Sequence, residues 1–393
     1  MKMILLDKPF VSEFVKKTIR ANALPVVRTG IAEACGFSAE SYLLDEATAI
    51  QRAASADDLM IYTTSENAIG WIAQNLAFTG LPDKIDQFKN KAKFRTLVAS
   101  LHPDFYFKEV RLEELEELSI DDIPMPFVIK PSVGFFSMGV YIVLDVEAWE
   151  QTKRSIHVEM EVVKDLYPPE VLDSTAFVIE QYIEGDEYAI DAYFDADGKA
   201  VILNILKHVF SSSDDVSDRV YLSSKEIIEN NIEQFTEYLQ EIGELTQIQN
   251  FPVHVEIRRD SAGRMVPIEI NPMRFGGWCT TADMTWFAYG FNPYLTYFSQ
   301  QRPDWDEILK DKGGKLYSVI ILDNSTGVDG NRITAFDYDR VLSKFERPLD
   351  LRKIDYREYP VFGFLFAETR EENFSEIDAI LKSDMREFIT VAA

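Results

Sequence analysis

The sequence predicts a mixed α/β (α+β) protein made of more than one packed unit, and three observations carry this. The chain has 393 residues, beyond the roughly 250 to 300 that one hydrophobic core usually serves. Its first 80 residues alternate strand and helix signals, the rhythm of a small layer of parallel strands. Residues 251–277 alternate polar and apolar side chains on either side of a short turn, as a β-hairpin does.

Composition narrows the function classes. Apolar residues make up 46% and charged residues 27%, enough apolar side chains for packed cores, which excludes a disordered chain. The longest apolar stretch, VFGFLFA at 361–367, is far shorter than the 18 or so residues of a membrane helix. The opening MKMILLDKPF holds a four-residue apolar run before Asp7, too short for a signal-peptide core. Two cysteines, Cys35 and Cys279, are too few for a disulfide framework. The expectation is a reduced, cytoplasmic protein with no membrane partner. A net charge of −26 argues against nucleic acid, since neutralising a duplex needs a basic face. It leaves room for a nucleotide, because a few cations focused in a cleft hold a triphosphate while the exterior stays acidic.

In order along the chain, MILL reads as a strand, SEFVKKTIRANA as a helix, LPVVRTG and DLMIYTT as strands, and ENAIGWIAQNLA as a helix. A dinucleotide fold would place G-x-G-x-x-G after the first strand, and LLDKPFVSEF stands there instead. The first unit therefore reads as a scaffold or substrate wall, and a nicotinamide dehydrogenase is disfavoured. PDKIDQFKNKAKFRTLVASL reads as one helix with Phe94, Leu97, Val98 and Leu101 on one buried face. Lys89, Lys91, Lys93 and Arg95 lie on the rest of it, where a solvated basic surface is the plain explanation. A short acidic helix, RLEELEELSIDDI, is expected next, and Pro124 and Pro126 then lead into a strand ending at Lys130. Past residue 278, TWFAYGFNPYLTYF reads as a helix and KLYSVIILDN as a strand. A further strand, VFGFLFA, precedes a last helix with Ser375 as its cap.

Three segments carry chemistry. In PFVIKPSVGFFSMGV, Gly134 and Gly139 permit a loop whose N–H groups turn inward, Ser137 adds a hydroxyl, and Lys130 supplies a point charge. An ordinary hairpin is the competing reading. In FVIEQYIEGDEYAIDAYF, Glu187 and Asp191 share one face of a strand, and EQYI can pass an adenine edge across its backbone while Glu187 accepts from ribose hydroxyls. Exposed-face carboxylates would read the same way. In HVEIRRDSAGRMVPIEIN, a two-residue loop at Ala262 and Gly263 would set Glu256 opposite Glu269. Two carboxylates so placed repel. With Asn271 on the same face they form an all-oxygen set suited to Mg²⁺; a salt bridge from Arg258 is the alternative.

Taken in order, these segments resemble the ATP-grasp superfamily and, within it, carboxylate–amine ligases such as D-alanine:D-alanine ligases, amino-acid ligases and purine-biosynthetic ligases. The resemblance runs from about Asn90 to Gly277. It implies an ATP-grasp fold with an N-terminal Rossmann-like unit over 1–84, a linking helix and mobile lid over 85–177, and a C-terminal core with the metal site over 178–393. It also implies that Lys91, Lys130, Gly134, Ser137 and Gly139 meet the phosphates of ATP, with Lys207 as a further candidate. Glu180, Gln181 and Ile183 would form the adenine hinge and Glu187 would take the ribose. Glu256, Glu269 and Asn271 would hold two Mg²⁺ ions, with Mn²⁺ as a substitute. The family's arginine follows Asn-Pro directly, whereas here Met273 intervenes before Arg274. Arg274 is favoured as the cation over an acyl phosphate, with His254 and Arg258 as alternatives.

The implied reaction is ATP-dependent joining of a small-molecule carboxylate to an amine through an acyl phosphate, releasing ADP and phosphate. A phosphotransferase on the same fold and a non-catalytic nucleotide-binding module are the alternatives. A homodimer is compatible with all three.

Overall fold

The computed structural model describes residues 1–134, 139–163, 175–211 and 218–392. Four parallel strands, β1 (Lys2–Leu5), β2 (Val26–Val27), β3 (Leu43–Leu44) and β4 (Met60–Thr63), form a first sheet in the order β3-β2-β1-β4. Apart from the exposed Lys2, their side chains are buried on both faces, as parallel strands between helices require. The helix Glu13–Asn22 starts where the Ser12 side chain accepts from the Val15 N–H, and it buries Val15, Thr18 and Ile19 against the sheet.

A second, antiparallel sheet comprises β5 (Phe107–Arg111), β6 (Phe127–Pro131), β7 (Tyr141–Val143) and β8 (Ala176–Gln181) in the order β5-β8-β6-β7. It has its own core, in which Phe127, Ile129, Phe177 and Ile179 meet Trp149 and Ile156 of the helix Val146–Val163. The remaining strands are β9 (Asp186–Phe194), β10 (Ala200–Val209), β11 (Val220–Ser224), β12 (Phe251–Arg259), β13 (Met265–Pro272), β14 (Lys315–Asp323), β15 (Ile333–Phe336), β16 (Arg347–Lys353), β17 (Val361–Arg370) and β18 (Ile389–Val391). Eight of them build a large antiparallel sheet in the order β13-β12-β9-β10-β11-β14-β17-β16, and β15 pairs with β18. On one face Tyr188 of β9 packs edge-on against Phe235 of the helix Ile232–Thr246. The opposite face carries the charged residues described below.

Several expectations are corrected. The single helix expected over 82–101 is two, Leu81–Lys89 and Lys91–Leu97, because Asn90 is extended (φ −85°, ψ 109°) and its side chain accepts from the Lys93 N–H at 3.0 Å. The basic face expected there is not solvated: Lys89 and Arg95 are buried and Lys93 alone of the four is exposed. The acidic helix reduces to a turn at Leu112–Glu114, since Glu113 and Glu117 would repel one turn apart. TWFAYGFNPYLTYF splits at Gly290 into the helices Thr280–Tyr289 and Pro293–Phe298. Ser375 is the first residue of the helix Ser375–Leu381 rather than its cap, because a 3₁₀ turn at Glu371–Asn373 runs into it. The expected boundaries at 84/85 and 177/178 fall inside the helix Leu81–Lys89 and inside β8.

Candidate active site

β12 and β13 place the two carboxylates. The turn between them is longer than expected: the Asp260 N–H donates to Arg264 O and the Gly263 N–H to Asp260 O, both at 3.0 Å. Near the turn Arg258 faces Val266 and Ile257 faces Pro267, one residue off the expected register. Pro267 has no N–H to give the ladder, and the next residue, Ile268, bulges out unpaired. The bulge restores the register, so Glu256 faces Glu269 and His254 faces Asn271. The carboxylates meet as expected, through a different turn.

Their surroundings are unequal. Glu269 Oε2 lies 3.1 Å from Lys91 Nζ, and Asn271 Nδ2 donates to Glu269 Oε1 at 2.9 Å. Burial pushes the Glu269 carboxyl up, but Lys91, the Asn271 hydrogen bond, Lys89 and Lys130 outweigh it and hold the group far below the usual carboxylate range. Glu256 has no lysine or arginine ion-pair partner among the described residues; His254 Nε2 lies 3.8 Å from its Oε1. Burial, then Glu269, Glu187 and Asp218, push its carboxyl well above the ordinary value. Arg258, the alternative partner, is engaged elsewhere: its Nε donates to Glu187 Oε2 at 2.9 Å and its Nη1 to Ile183 O at 2.8 Å. Among the described residues no three His, Cys, Asp or Glu side chains group to hold a metal. The oxygen donors here are two carboxylates and the Asn271 amide.

The neighbouring positions on β9 and β10 complete this face. Glu187 and Asp191 are buried, not solvent-facing. Glu187 Oε1 lies 2.9 Å from His208 Nδ1, and Asp191 Oδ1 binds His254 Nδ1 at 2.7 Å and accepts from the Gly276 N–H at 2.9 Å. Lys207 stands opposite Tyr188, on the other face of the sheet, and pairs with Asp186 at 2.7 Å. The register removes it from the cluster.

The second sheet supplies Lys130 at the end of β6, buried and ion-paired with Glu180 of β8. Arg95 Nε binds the second oxygen of Glu180 at 2.6 Å. Burial raises the Glu180 carboxyl, yet Arg95 and Lys130 together bring it down to about 2. Lys91 donates through Nζ to Gly134 O at 3.3 Å and through its N–H to Ser132 O at 2.7 Å, tying the helix Lys91–Leu97 to the loop after β6. Gly139 has φ +69°, and its N–H is taken by Glu159 at 3.0 Å. Ser137, Phe135 and Phe136 lie outside the described residues. Gln181 closes β8, its N–H on Tyr106 O at 3.0 Å, and Ile183 follows in the crossing to β9.

Arg274 lies beyond β13, half-buried, with its Nε on Glu66 Oε1 at 3.0 Å. Lys89 pairs with the other Glu66 oxygen. Burial, then Lys91 and Arg274, bring the Lys89 ammonium down to about 7. Sequence reasoning missed Glu66, Lys89 and Arg95. Arg95 follows Lys91 by one helical turn, and Glu66 stands just past β4, where ligands gather in parallel sheets; those were the available signals.

A family model for the ATP-grasp domain matches residues 123–282. Residues 123–282 are an ATP-grasp domain. It spans Lys130, Glu180, Glu187, Glu256, Glu269, Asn271 and Arg274, while Glu66, Lys89, Lys91 and Arg95 precede it. No curated protein sequence matches the chain significantly. Among solved structures, the L-amino acid ligase from Bacillus licheniformis superposes with a TM-score of 0.69 at 17% identity, covering 99% of this chain and 98% of that one. The N5-carboxyaminoimidazole synthase from Aspergillus clavatus, solved with ADP and its ribonucleotide, gives 0.63 at 10% identity over 98% and 99%. The biotin carboxylase domain dimer of the Hydrogenobacter thermophilus 2-oxoglutarate carboxylase, solved with MgADP, ADP and bicarbonate, gives 0.61 at 13% identity over 100% and 90%. The ATP-grasp fold therefore extends across the whole chain, with the parallel sheet ahead of the four-stranded antiparallel sheet and the large antiparallel sheet behind it.

Proposed function

We propose that this protein is an ATP-dependent ligase that activates a substrate carboxylate as an acyl phosphate and joins it to an amine. The observation that supports this most is Glu256, a half-buried carboxylate facing a second carboxylate and without a lysine or arginine ion-pair partner among the described residues. Two carboxylates facing each other repel, and a hard cation held by Glu256, Glu269 and Asn271 would offset that. When bound there, Mg²⁺ supplies charge compensation for the β- and γ-phosphate oxygens of ATP. Two of the solved relatives are described with bound nucleotide, ADP in one and MgADP in the other, which favours the same use here.

The chain's residues have these tasks on this reading. Lys130 and Lys91 hold the phosphates, Gln181 and Ile183 meet the adenine edge, and Glu187, fixed by His208 and Arg258, accepts from the ribose. The substrate carboxylate attacks the γ-phosphorus and ADP leaves. The amine then attacks the acyl carbon, phosphate departs, and the amine loses its proton. Arg274, held by Glu66, faces the acyl phosphate; His254, held by Asp191, stands beside Glu256. Little protein covalent chemistry is needed, so positioning and exclusion of water govern the rate. The test is a screen of carboxylates and amines for ADP release with mass spectrometry of products. Phosphate appearing in step with ADP, and a product weighing carboxylate plus amine less one water, is expected. A stable phosphorylated product with little free phosphate would replace the ligase reading with a phosphotransferase.

A further inference from the structure

Glu180, Lys130 and Arg95 form a cluster with one negative and two positive charges, and all three are sealed from solvent at 2%, 4% and 2% exposure. Each cation takes one oxygen of the carboxylate. A single buried carboxylate needs a single buried cation. The second adds desolvation without a second anion to offset it, and Arg95 Nη2 is buried with no hydrogen-bond partner. Stability alone does not explain this excess.

The two cations are not held alike. Arg95 is anchored on a second side, where Nη1 donates to Pro267 O at 2.6 Å, and its guanidinium lies 4.6 Å over the Phe105 ring. Lys130 has Glu180 as its one partner among the described residues, at the tip of a flexible stem on the strand that leads into the loop after Pro131. Of the two, Lys130 is the one free to leave.

We propose that Arg95 is a positioning residue for nucleotide binding: it is the counter-charge that stays with Glu180 when Lys130 turns to the phosphates. This rests on the reading that Lys130 contacts the phosphates of ATP. Without Arg95, Lys130 and Glu180 would be an isolated neutral pair, and withdrawing the lysine would strand a buried carboxylate. The penalty for stranding such a charge corresponds to roughly 100-fold or more in an equilibrium constant. Arg95 removes that penalty in advance. Because its Nη1 also holds Pro267 O, next to the bulge that aligns Glu269, the same side chain ties the hinge strand to the hairpin bearing the carboxylates.

The experiment is calorimetric titration of the full chain with MgATP and, separately, with adenosine. Arg95→Met should weaken MgATP about 100-fold and adenosine less than about threefold. In the double variant Arg95→Met/Glu180→Gln no carboxylate is stranded, so MgATP affinity should recover at least about tenfold over Arg95→Met. If Arg95→Met does not fold, Arg95→Lys, which keeps the charge beside Glu180, takes its place as the reference. MgATP affinity should then lie within about tenfold of the unmodified protein in Arg95→Lys. Loss of more than that in Arg95→Lys would overturn the proposal, as would Arg95→Met binding MgATP like the unmodified protein, equal losses for both ligands, or a double variant as weak as Arg95→Met. An unmodified protein that binds adenosine as tightly as MgATP would overturn the nucleotide reading itself, and this proposal with it.

Discussion

Gly185 is where the chain crosses from β8 into the large sheet, and replacing it with alanine tests whether that crossing is as tight as the structure shows. Its φ of +116° is closed to ordinary side chains, and an added Cβ would sit 2.2 Å from Arg259 O, 2.5 Å from Arg259 C and 2.7 Å from Asp260 Cα. All three are backbone atoms at the end of β12, so no side chain can swing aside; the strands must part by about 1 Å to reach ordinary contact. Backbone strain of about 1 to 3 kcal/mol and overpacking of about 1 to 3 kcal/mol give a loss of about 2 to 6 kcal/mol. Gly263→Ala is the matched control, because Gly263 also has positive φ (+83°) but nothing lies within 4 Å of its added Cβ. Urea unfolding of both variants should show Gly185→Ala the less stable by about 1 to 3 kcal/mol, the share owed to close approach. MgATP affinity should fall in Gly185→Ala alone, since Arg258, which clamps Ile183 O and Glu187, belongs to the displaced strand. Equal stability of the two variants would refute the reasoning.

Three further outcomes are expected. Glu269→Gln should lower turnover at least about 100-fold while the thermal midpoint stays near that of the unmodified protein; normal activity would end the metal assignment. Lys130→Met should weaken ATP by about 10- to 100-fold and adenosine far less, because a charge-assisted contact is lost and the apolar stem is kept; equal loss would make Lys130 a support for the lid fold. Glu180, with its folded pKa lowered to about 2 from 4.5, stabilises the fold fully above pH 4.5 and loses that contribution as pH falls through 2. Urea unfolding between pH 5 and 2 should therefore show the unmodified protein losing about 3 kcal/mol more than Glu180→Gln, and parallel pH profiles would contradict the cluster.

The strand and hairpin patterns were legible because each depends on neighbours in the sequence. Alternation in HVEIRRD and MVPIEIN set Glu256 and Glu269 on one face. The bulge at Ile268 was not legible, since it depends on how the longer turn and Pro267 share one ladder. Lys89 and Arg95 were misread as solvated for a related reason. Helical spacing says which side chains share a face, not what covers it, and Glu66 and Glu180 approach from 23 and 85 residues away in sequence. Lys207 shows the converse: its alternation was visible, but only its pairing with Tyr188 tells which face of the sheet it occupies.

The missing glycine fingerprint after β1 also has a structural account. In open parallel sheets ligands sit beyond the carboxyl ends of the strands, and here the end of β4 is occupied by the loop after β13. The Thr63 N–H and hydroxyl donate to Met273 O at 2.8 and 3.2 Å, and Met273 itself is turned into the left-handed region at φ +66°. Three residues after Thr63, Glu66 takes hold of Arg274. The end of β4 therefore grips the loop that follows Asn271 and holds its cation through Glu66. The extra residue before Arg274, Met273, is the one the β4 end binds. On the proposed reading, the one-residue displacement of the arginine and the use of the first sheet as a scaffold are then a single feature: the N-terminal unit sets where the positive charge over the acyl phosphate stands.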